Sequence, residues 1–364
     1  MKKSKILFLV QLPPPVHGAS SINKLLAESQ ILKNKYQIDI LPIQIANKME
    51  GLGNFSMAKL FGAIAIYFKL WLKLLSKKYD LVYFTLSPLG FAFYKDVGLV
   101  YLLKLFNRKI IFHLHGKGIK NELKSNFKKK LYASVFKNVH VIQLAEVLYD
   151  DIKDVYPNQP YLLPNGIKKI KIDSLQEANQ ITTFIYLSNL MEEKGILIFL
   201  EAVKNLKEFD NKFKVHIVGP SSDVTIEQLE EYINQHELTN VELFGPAFNE
   251  KKYEHLLQSD VFVLPTYYKN ECFPISILEA YQSGLVVLST DNGAIPSMVQ
   301  ENQNGFLVPQ RDVLALTERM KYLIENPENL ISIKENNKIE FNEKYTEEIF
   351  IQNFQNIIED VLAK

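Results

Sequence analysis

The sequence lacks the motifs that identify several common enzyme classes. It contains one cysteine, Cys272, which excludes an internal disulfide bond. No Gly-x-Gly-x-x-Gly follows an apolar run and no Gly-x4-Gly-Lys-Ser/Thr loop occurs, so neither a dehydrogenase nor a P-loop protein is indicated. No Gly-x-Ser-x-Gly elbow presents a nucleophilic serine. Candidate chemistry therefore has to be sought in less common patterns.

No secretory signal is recognisable either. Met1 and two lysines lead into only KILFLVQL before the prolines, without the length or the small-residue cleavage site that such a signal needs. The hydrophobic fraction of 47% and the charged fraction of 23% indicate a well-packed globular protein. A chain of 364 residues is long enough for two domains. We expect a cytoplasmic location.

The charge is distributed unevenly along the chain. The net charge is +1, but residues 1–165 hold 24 Lys and Arg against 10 Asp and Glu, which gives +14. The remaining residues carry −13, from 18 basic and 31 acidic residues. This asymmetry predicts that the first half faces an anionic partner, for which nucleic acid and the cytoplasmic membrane leaflet are the usual candidates.

Short apolar runs alternate with helical stretches through most of the sequence. Continuous rather than alternating hydrophobicity is typical of strands buried on both faces, and helical connections favour parallel sheets. We predict ten strands in two doubly wound sheets, joined by the polar crossing PNGIKKIKIDSLQEANQ. The predicted strands are KILFLV, QIDILPI, DLVYFTL, KIIFHLH, VHVIQL, TTFIYL, KVHIVG, VELFG, DVFVLP and LVVLST.

The last segment, YTEEIFIQNFQNIIEDVLAK, is predicted to form an amphipathic helix. Its apolar stripe consists of Ile349, Phe350, Phe354, Ile357, Ile358 and Leu362.

Two carboxylates follow the apolar run DVFVLPT. Glu271 and Glu279 are eight residues apart, and Pro274 between them places Glu271 in a loop and Glu279 in the following helix. Carboxylates at such positions can accept hydrogen bonds from the hydroxyl pairs of sugars and riboses. Glu279 alone could equally be a solvated helix residue, although its neighbours are mostly apolar. The arrangement resembles the Glu-x7-Glu motif of retaining GT-B glycosyltransferases, family 4 in particular.

This resemblance implies a GT-B fold, an α/β architecture of two Rossmann-like parallel-sheet domains facing across a cleft. Residues 1–165, with the C-terminal helix at 345–364, would form the acceptor-binding domain, and residues 166–344 the nucleotide-sugar-binding domain. Ligands of such sheets bind beyond the carboxyl ends of the strands, which places the site in the cleft.

A second match lies in YLSNLMEEKG, where Lys194 precedes Gly195 and a helix. The family pattern here is Gly-Arg-Leu followed by Lys-Gly, with both cations on the donor diphosphate. Lys194 matches, whereas Ser188 stands at the glycine and Asn189 at the arginine. Hydrogen bonding by Asn189 would replace the missing charge. Taken alone, Lys194 could be a surface lysine.

In the first domain the resemblance is carried by fewer residues. Gly18 stands, after His17, where the family has a Gly-rich loop, and a helix beginning there would favour an anion, although a structural turn is the alternative. His115 resembles the family histidine that approaches the transferred sugar near its 6-hydroxyl. His113 is interpreted as structural. The i, i+2 pair could hold a metal, but no carboxylate or cysteine cluster accompanies it.

By the same resemblance, Glu271 and the amides of Cys272 and Phe273 orient the sugar, while Glu279 holds the ribose. Lys194 and the helix start near Ile275 and Ser276 stabilise the leaving phosphate. Two departures are Pro274, which replaces a glycine and removes a donor, and Ser297, which replaces a glutamate. No Asp-x-Asp triplet occurs, so we expect neither a metal nor another cofactor.

The predicted function is transfer of a sugar, with retention, from a nucleotide-diphosphate sugar to a lipid-linked glycan in bacterial surface polysaccharide biosynthesis. The alternatives are a GT-B sugar-nucleotide epimerase and a noncatalytic GT-B subunit. Two lysine-containing stretches, 57–78 and 117–132, suggest peripheral binding to an anionic membrane on its cytoplasmic side rather than to nucleic acid. The first of them could equally be a helix packed on the sheet.

Overall fold

The computed structural model of the chain describes residues 3–43, 57–170 and 181–364. The described part divides into two compact units. Unit 1 comprises Met1–Gly166 with Glu347–Lys364, and unit 2 comprises Ile167–Thr346. The predicted domain boundaries lie after residues 165 and 344. Part of the predicted polar crossing, residues 171–180, lies outside the described residues.

Unit 1 is built on a six-stranded parallel sheet with strand order β2-β1-β3-β4-β5-β6. Nearly every residue of its central strands is buried, as the continuous apolar runs predict. Its elements are β1 Lys5–Val10, α1 Gly18–Glu28, α2 Gln30–Lys35, β2 Gln37–Pro42, α3 Met57–Ser76, β3 Leu81–Phe84, α4 Gly90–Leu105, β4 Ile110–His113, α5 Ile119–Glu122, α6 Asn126–Phe136, β5 His140–Gln143 and β6 Tyr161–Leu162.

Unit 2 repeats the plan with a second six-stranded parallel sheet, of strand order β12-β11-β10-β7-β8-β9. Its elements are β7 Thr182–Leu187, α7 Ile196–Asn205, β8 Phe213–Val218, α8 Ile226–Gln235, β9 Val241–Gly245, α9 Asn249–Leu257, β10 Val261–Leu264, α10 Ile275–Gln282, β11 Val286–Thr290, α11 Ile295–Met298, β12 Gly305–Val308, α12 Val313–Glu325 and α13 Asn329–Lys344.

The predicted C-terminal helix is α14, Glu347–Ala363, and it packs within unit 1. Its Phe354 ring meets the rings of Phe8 and Tyr83 edge to face, at centroid distances of 6.2 and 5.1 Å. The fully buried side of the helix differs slightly from the predicted stripe, because Ile351 and Val361 are buried while Ile349 and Leu362 are only half-buried.

Helices α3, α4 and α6 pack on the unit 1 sheet and share one hydrophobic core with it. Helix α4 contacts both α3 and α6. The inner side of α3 supplies Ile66, Leu70 and Leu74 to this core. Among the described residues, no helix is long and apolar enough to cross a membrane.

Candidate functional site

The sheet of unit 2 brings Lys194 and Glu271 together. Strands β7 and β10 are parallel neighbours, so the segments that follow them leave the same edge of the sheet. After β7, a 3-10 helix at Glu192–Lys194 ends in Lys194, just before α7. After β10, the chain loops to Glu271, whose Oε2 accepts a hydrogen bond from Nζ of Lys194.

The ion pair is largely shielded from water. The exposed fraction is 17% for the Lys194 side chain and 8% for that of Glu271. Thr266 Oγ1 donates to the same Glu271 oxygen at 3.3 Å, and Nζ of Lys194 lies 5.2 Å from the centroid of the Tyr268 ring. A charge that is shielded from water is unfavourable without a partner of opposite charge, so the ion pair holds both side chains at this edge of the sheet.

Backbone contacts hold the loop that carries Glu271. The Glu271 N–H donates to the Tyr268 carbonyl at 2.8 Å, and that carbonyl also accepts from Asn292 Nδ2 at 2.8 Å. Gly293 has a φ of +61°, and a Cβ there would lie 2.4 Å from the Glu271 carbonyl oxygen. Only glycine permits this close approach, which keeps the Glu271 backbone against the β11–α11 turn.

Helix α10 points its amino end into the same loop. It begins at Ile275 after the N-cap Pro274, whose side chain offers no capping oxygen. Within the described part of the chain, the N–H groups of Ile275 and Ser276 have no acceptor, so the positive end of the helix is uncompensated. Cys272 and Phe273, between Glu271 and the helix, are buried.

Glu279 lies one turn into α10 and forms a separate ion pair. Its Oε1 accepts a hydrogen bond from Nζ of Lys252 on α9. The exposed fractions are 13% for Glu279 and 22% for Lys252, so this carboxylate is not the solvated helix residue that remained an alternative. Lys252 was not predicted, since nothing in the sequence connects two residues on different helices.

Ser188 and Asn189 directly follow β7, and they differ in exposure. Ser188 is half-buried, whereas Asn189 is exposed. The Asn189 carbonyl accepts from the Tyr186 hydroxyl at 3.2 Å and from the Met191 N–H at 2.8 Å. These contacts hold the backbone, and no described residue engages the Asn189 amide group, which is therefore available to a ligand.

In unit 1, the predicted histidines lie at the end of β4. The ring centroids of His113 and His115 are 4.0 Å apart, and His113 Nδ1 is 2.7 Å from the Tyr83 hydroxyl. Neither Nε2 atom has a partner among the described residues. Burial, assisted by the charge of His17, lowers the pKa of His115 to about 3. His115 is therefore neutral at physiological pH.

The helix that follows β1 has a side-chain cap. Helix α1 begins at Gly18, and His17 Nδ1 accepts from the Ser20 N–H at 3.3 Å while the Ser20 hydroxyl accepts from the His17 N–H at 2.9 Å. The Ser21 N–H donates to the His17 carbonyl at 3.0 Å. The N–H groups of Ser20 and Ser21 therefore already have acceptors, which leaves those of Gly18 and Ala19 for the anion that a helix start at Gly18 would favour.

No group of three or more histidine, cysteine, aspartate or glutamate side chains suited to a metal ion occurs in residues 3–43, 57–170 and 181–364. The chemistry of the unit 2 edge is instead that of two carboxylates, two lysines and a helix amino end.

Comparison with known proteins finds a family similarity for unit 2. Residues 168–340, nearly all of unit 2, match the model of the family described as Glycosyl transferases group 1. Unit 2 is therefore similar to a group 1 glycosyltransferase domain.

Curated relatives match at modest identity over part of their length. WcaL of Escherichia coli K12, named as a colanic acid biosynthesis glycosyltransferase, is 32% identical over 37% of this chain and 34% of its own. AmsK of Erwinia amylovora, an amylovoran biosynthesis glycosyltransferase, is 28% identical over 46% of this chain and 42% of its own. The O-antigen chain mannosyltransferase C of Escherichia coli is 26% identical, over 57% and 56%. The matched part therefore spans about a third to just over half of each relative.

Solved structures extend the similarity over the whole chain. A glycosyltransferase from Rickettsia africae superposes with a TM-score of 0.79 and 17% identity, covering 100% of this chain and 99% of its own. Anabaena Alr3699/HepE in complex with UDP gives a TM-score of 0.75 and 16% identity, covering 98% and 100%. With its two six-stranded parallel sheets, the chain has the predicted GT-B fold.

Proposed function

We propose that the protein is a retaining glycosyltransferase that moves a sugar from a nucleotide-diphosphate sugar to a lipid-linked glycan acceptor in bacterial surface polysaccharide biosynthesis. One observation carries the proposal: the shielded Lys194–Glu271 pair lies at the carboxyl edge of the sheet, inside the segment that matches the glycosyltransferase family. The polysaccharide-related names of the curated relatives support the biosynthetic setting.

In the proposed reaction, breaking the anomeric bond leaves negative charge on the β-phosphate. Nζ of Lys194 and the amino end of α10 supply a fixed positive potential for that charge. The side-chain amide of Asn189 donates a hydrogen bond to the donor diphosphate, at the position where the family pattern has an arginine. The departing phosphate takes the proton of the acceptor hydroxyl, so no protein side chain has to act as the base, and no metal is required.

The two carboxylates bind the donor in this proposal. Glu271 accepts hydrogen bonds from the 3- and 4-hydroxyls of the sugar, and the backbone N–H groups of Cys272 and Phe273 donate to the same sugar. Glu279 accepts hydrogen bonds from the ribose hydroxyls. A donor that offers a diphosphate to Lys194 and hydroxyls to Glu271 replaces each partner of the ion pair, so both charged side chains keep a hydrogen-bonding partner.

Unit 1 receives the acceptor in this proposal. His115 is neutral because its pKa is lowered to about 3. Its Nε2 atom, which has no partner among the described residues, can form one hydrogen bond with a sugar hydroxyl, as donor or as acceptor. The Gly18 and Ala19 amides at the start of α1 remain available to an anionic group.

The proposal is tested by incubating the protein with labelled nucleotide sugars and a bacterial lipid extract. Release of nucleotide together with labelled lipid is the expected result. An epimerase would alter the sugar without releasing nucleotide, and a noncatalytic subunit would change neither; either result would contradict the proposal.

A further inference from the structure

Helix α3 leaves a large apolar stripe uncovered. Six side chains share it, with exposed fractions between 43% for Trp71 and 63% for Phe61. At 100° per residue they fall within an arc of about 100°. We call these residues the α3 stripe: Phe61, Ile64, Phe68, Trp71, Leu72 and Leu75.

The stripe is not needed for the unit 1 core. The opposite side of α3 supplies that packing through Ala63, Ile66, Leu70 and Leu74, all of them buried. Helix α3 therefore packs on the sheet with one apolar side and exposes a second apolar side to solvent. Soluble monomers rarely expose contiguous apolar patches larger than a few hundred Å², and six half-exposed large side chains reach about that size.

Basic groups accompany the stripe. Lys69 is exposed on the flank of α3, and Lys124, Lys129 and Lys130 are exposed around the start of α6, where Phe127 is 72% exposed. None of these four lysines has an ion-pair partner among residues 3–43, 57–170 and 181–364. Because α4 contacts both α3 and α6, the three helices form one outer layer of unit 1.

We propose that the α3 stripe inserts into the headgroup region of an anionic membrane while these lysines bind lipid headgroups. An apolar helix face with Trp, Phe and Leu, flanked by lysine, is the composition of helices that lie in the membrane interface. Each basic residue near an anionic leaflet contributes about 1 kcal/mol, equivalent to about a fivefold gain in affinity.

Charge argues against a second copy of the chain as the occupant. A twofold dimer through the stripe would place the lysine-bearing flank of one copy against that of the other. An anionic lipid surface complements the same lysines. The inference rests on the proposed function for its purpose, because a lipid-linked acceptor lies in the membrane, but its test does not depend on transfer activity.

Trp71 provides the test, because it is the only tryptophan in the sequence and belongs to the stripe. Its fluorescence is measured with vesicles containing phosphatidylglycerol, with phosphatidylcholine vesicles, and with vesicles whose acyl chains are brominated. We expect a blue shift with the anionic vesicles, weakened by high salt, and quenching by the brominated chains. Emission that no vesicle alters would overturn the inference.

Variants locate the surface in vesicle sedimentation. The double variant Phe68→Gln/Leu72→Gln is expected to bind anionic vesicles at least about tenfold more weakly, and Lys129→Gln/Lys130→Gln about tenfold or more. The matched control is Ile31→Gln, which changes an apolar side chain, 48% exposed, on α2 outside the outer layer. Equal loss of binding in this control would overturn the assignment to α3.

Two further measurements separate the possible failures. Light scattering of the lipid-free protein is expected to show no oligomer that Phe68→Gln dissociates; such an oligomer would assign the stripe to a second copy. Nucleotide-sugar binding is measured without lipid. If the protein binds nucleotide sugar but not vesicles, the membrane inference fails and the proposed transferase function remains. If the protein binds vesicles but not nucleotide sugar, the proposed donor site fails instead.

Discussion

At the residue scale, the Lys194–Glu271 pair combines a structural and a proposed catalytic role that substitutions can separate. Lys194→Met leaves the shielded Glu271 carboxylate without its partner, so we expect a loss of about 3 kcal/mol in the free energy of unfolding. We also expect kcat/KM for transfer to fall by about 10²-fold or more, since a charge that stabilises the leaving phosphate is removed. Urea unfolding and steady-state kinetics measure the two effects.

The double variant Lys194→Met/Glu271→Gln distinguishes these roles. Without a buried unpaired charge, it should regain most of the lost stability but none of the activity. The control is Lys204→Met, which breaks a more exposed pair with Glu201 in the same unit and should change stability by less than about 1 kcal/mol. Activity that returns with stability in the double variant would make the pair purely structural.

The two adjacent histidines predict an acid-sensitive unit 1. The pKa of His115 is lowered to about 3 by burial first and by His17 second, and burial also lowers the pKa of His113. Below pH 6.5 the unfolded chain takes up protons that the folded chain does not. The free energy of unfolding should therefore fall as pH falls from about 6.5 to 5, by up to about 1.4 kcal/mol per pH unit for each histidine.

His115→Asn should flatten this dependence, measured by urea unfolding at several pH values between 5 and 7.5. An unchanged slope in the variant would show that His115 takes up its proton in the folded protein as readily as in the unfolded chain, which would contradict the lowered pKa.

The positions of two site residues could be predicted from the strands that precede them. Glu271 and Lys194 could be placed at the same sheet edge because each comes shortly after an apolar run. Their ion pair could not be predicted, since it depends on the loop path that brings Nζ within reach of the carboxylate. The His17 cap was missed for a similar reason, because an imidazole that accepts a backbone hydrogen bond has no distinct sequence signal.

At the element scale, Gly195 fixes the segment that carries Lys194. Its φ is +87°, and an added Cβ would lie 2.2 Å from the Pro265 carbonyl oxygen in the loop after β10. Gly195→Ala should therefore lower the free energy of unfolding by more than about 1–2 kcal/mol, which is the cost of a left-handed alanine without a clash. The substitution should also weaken donor binding.

Gly245→Ala is the matched control in the same unit. Its φ is +64°, but the nearest atom to an added Cβ is a side-chain carbon 3.7 Å away, so only the conformational cost applies. Equal destabilisation of the two variants in urea unfolding would show that the loop after β10 moves away from a Cβ at position 195 without an energetic cost.

The ten predicted strands are all present, and two more complete the sheets. Continuous apolar runs reveal a strand only when they are long enough, which β6, with two residues, is not. Strand β12 was not predicted either, because its four residues begin at a glycine and are followed by a proline, which gives a weak strand signal. Both are edge strands, so only one neighbouring strand determines them.

At the scale of the whole molecule, we predict that transfer needs no divalent metal. The sequence has no Asp-x-Asp triplet, and the described residues contain no cluster suited to a metal. Lys194 and the amino end of α10 are assigned the charge compensation that a metal would otherwise supply. Activity measured after EDTA treatment should be retained; complete loss with EDTA, restored by Mg²⁺ or Mn²⁺, would refute this.

The central claim is that the Lys194 edge of unit 2 binds the diphosphate of a nucleotide sugar. The most direct measurement is calorimetric titration of a panel of nucleoside diphosphates into the wild-type protein, Lys194→Met/Glu271→Gln and Lys204→Met. We predict that at least one of the nucleotides binds the wild type and Lys204→Met equally, and binds the double variant at least about tenfold more weakly. Equal affinity for all three proteins would contradict the claim.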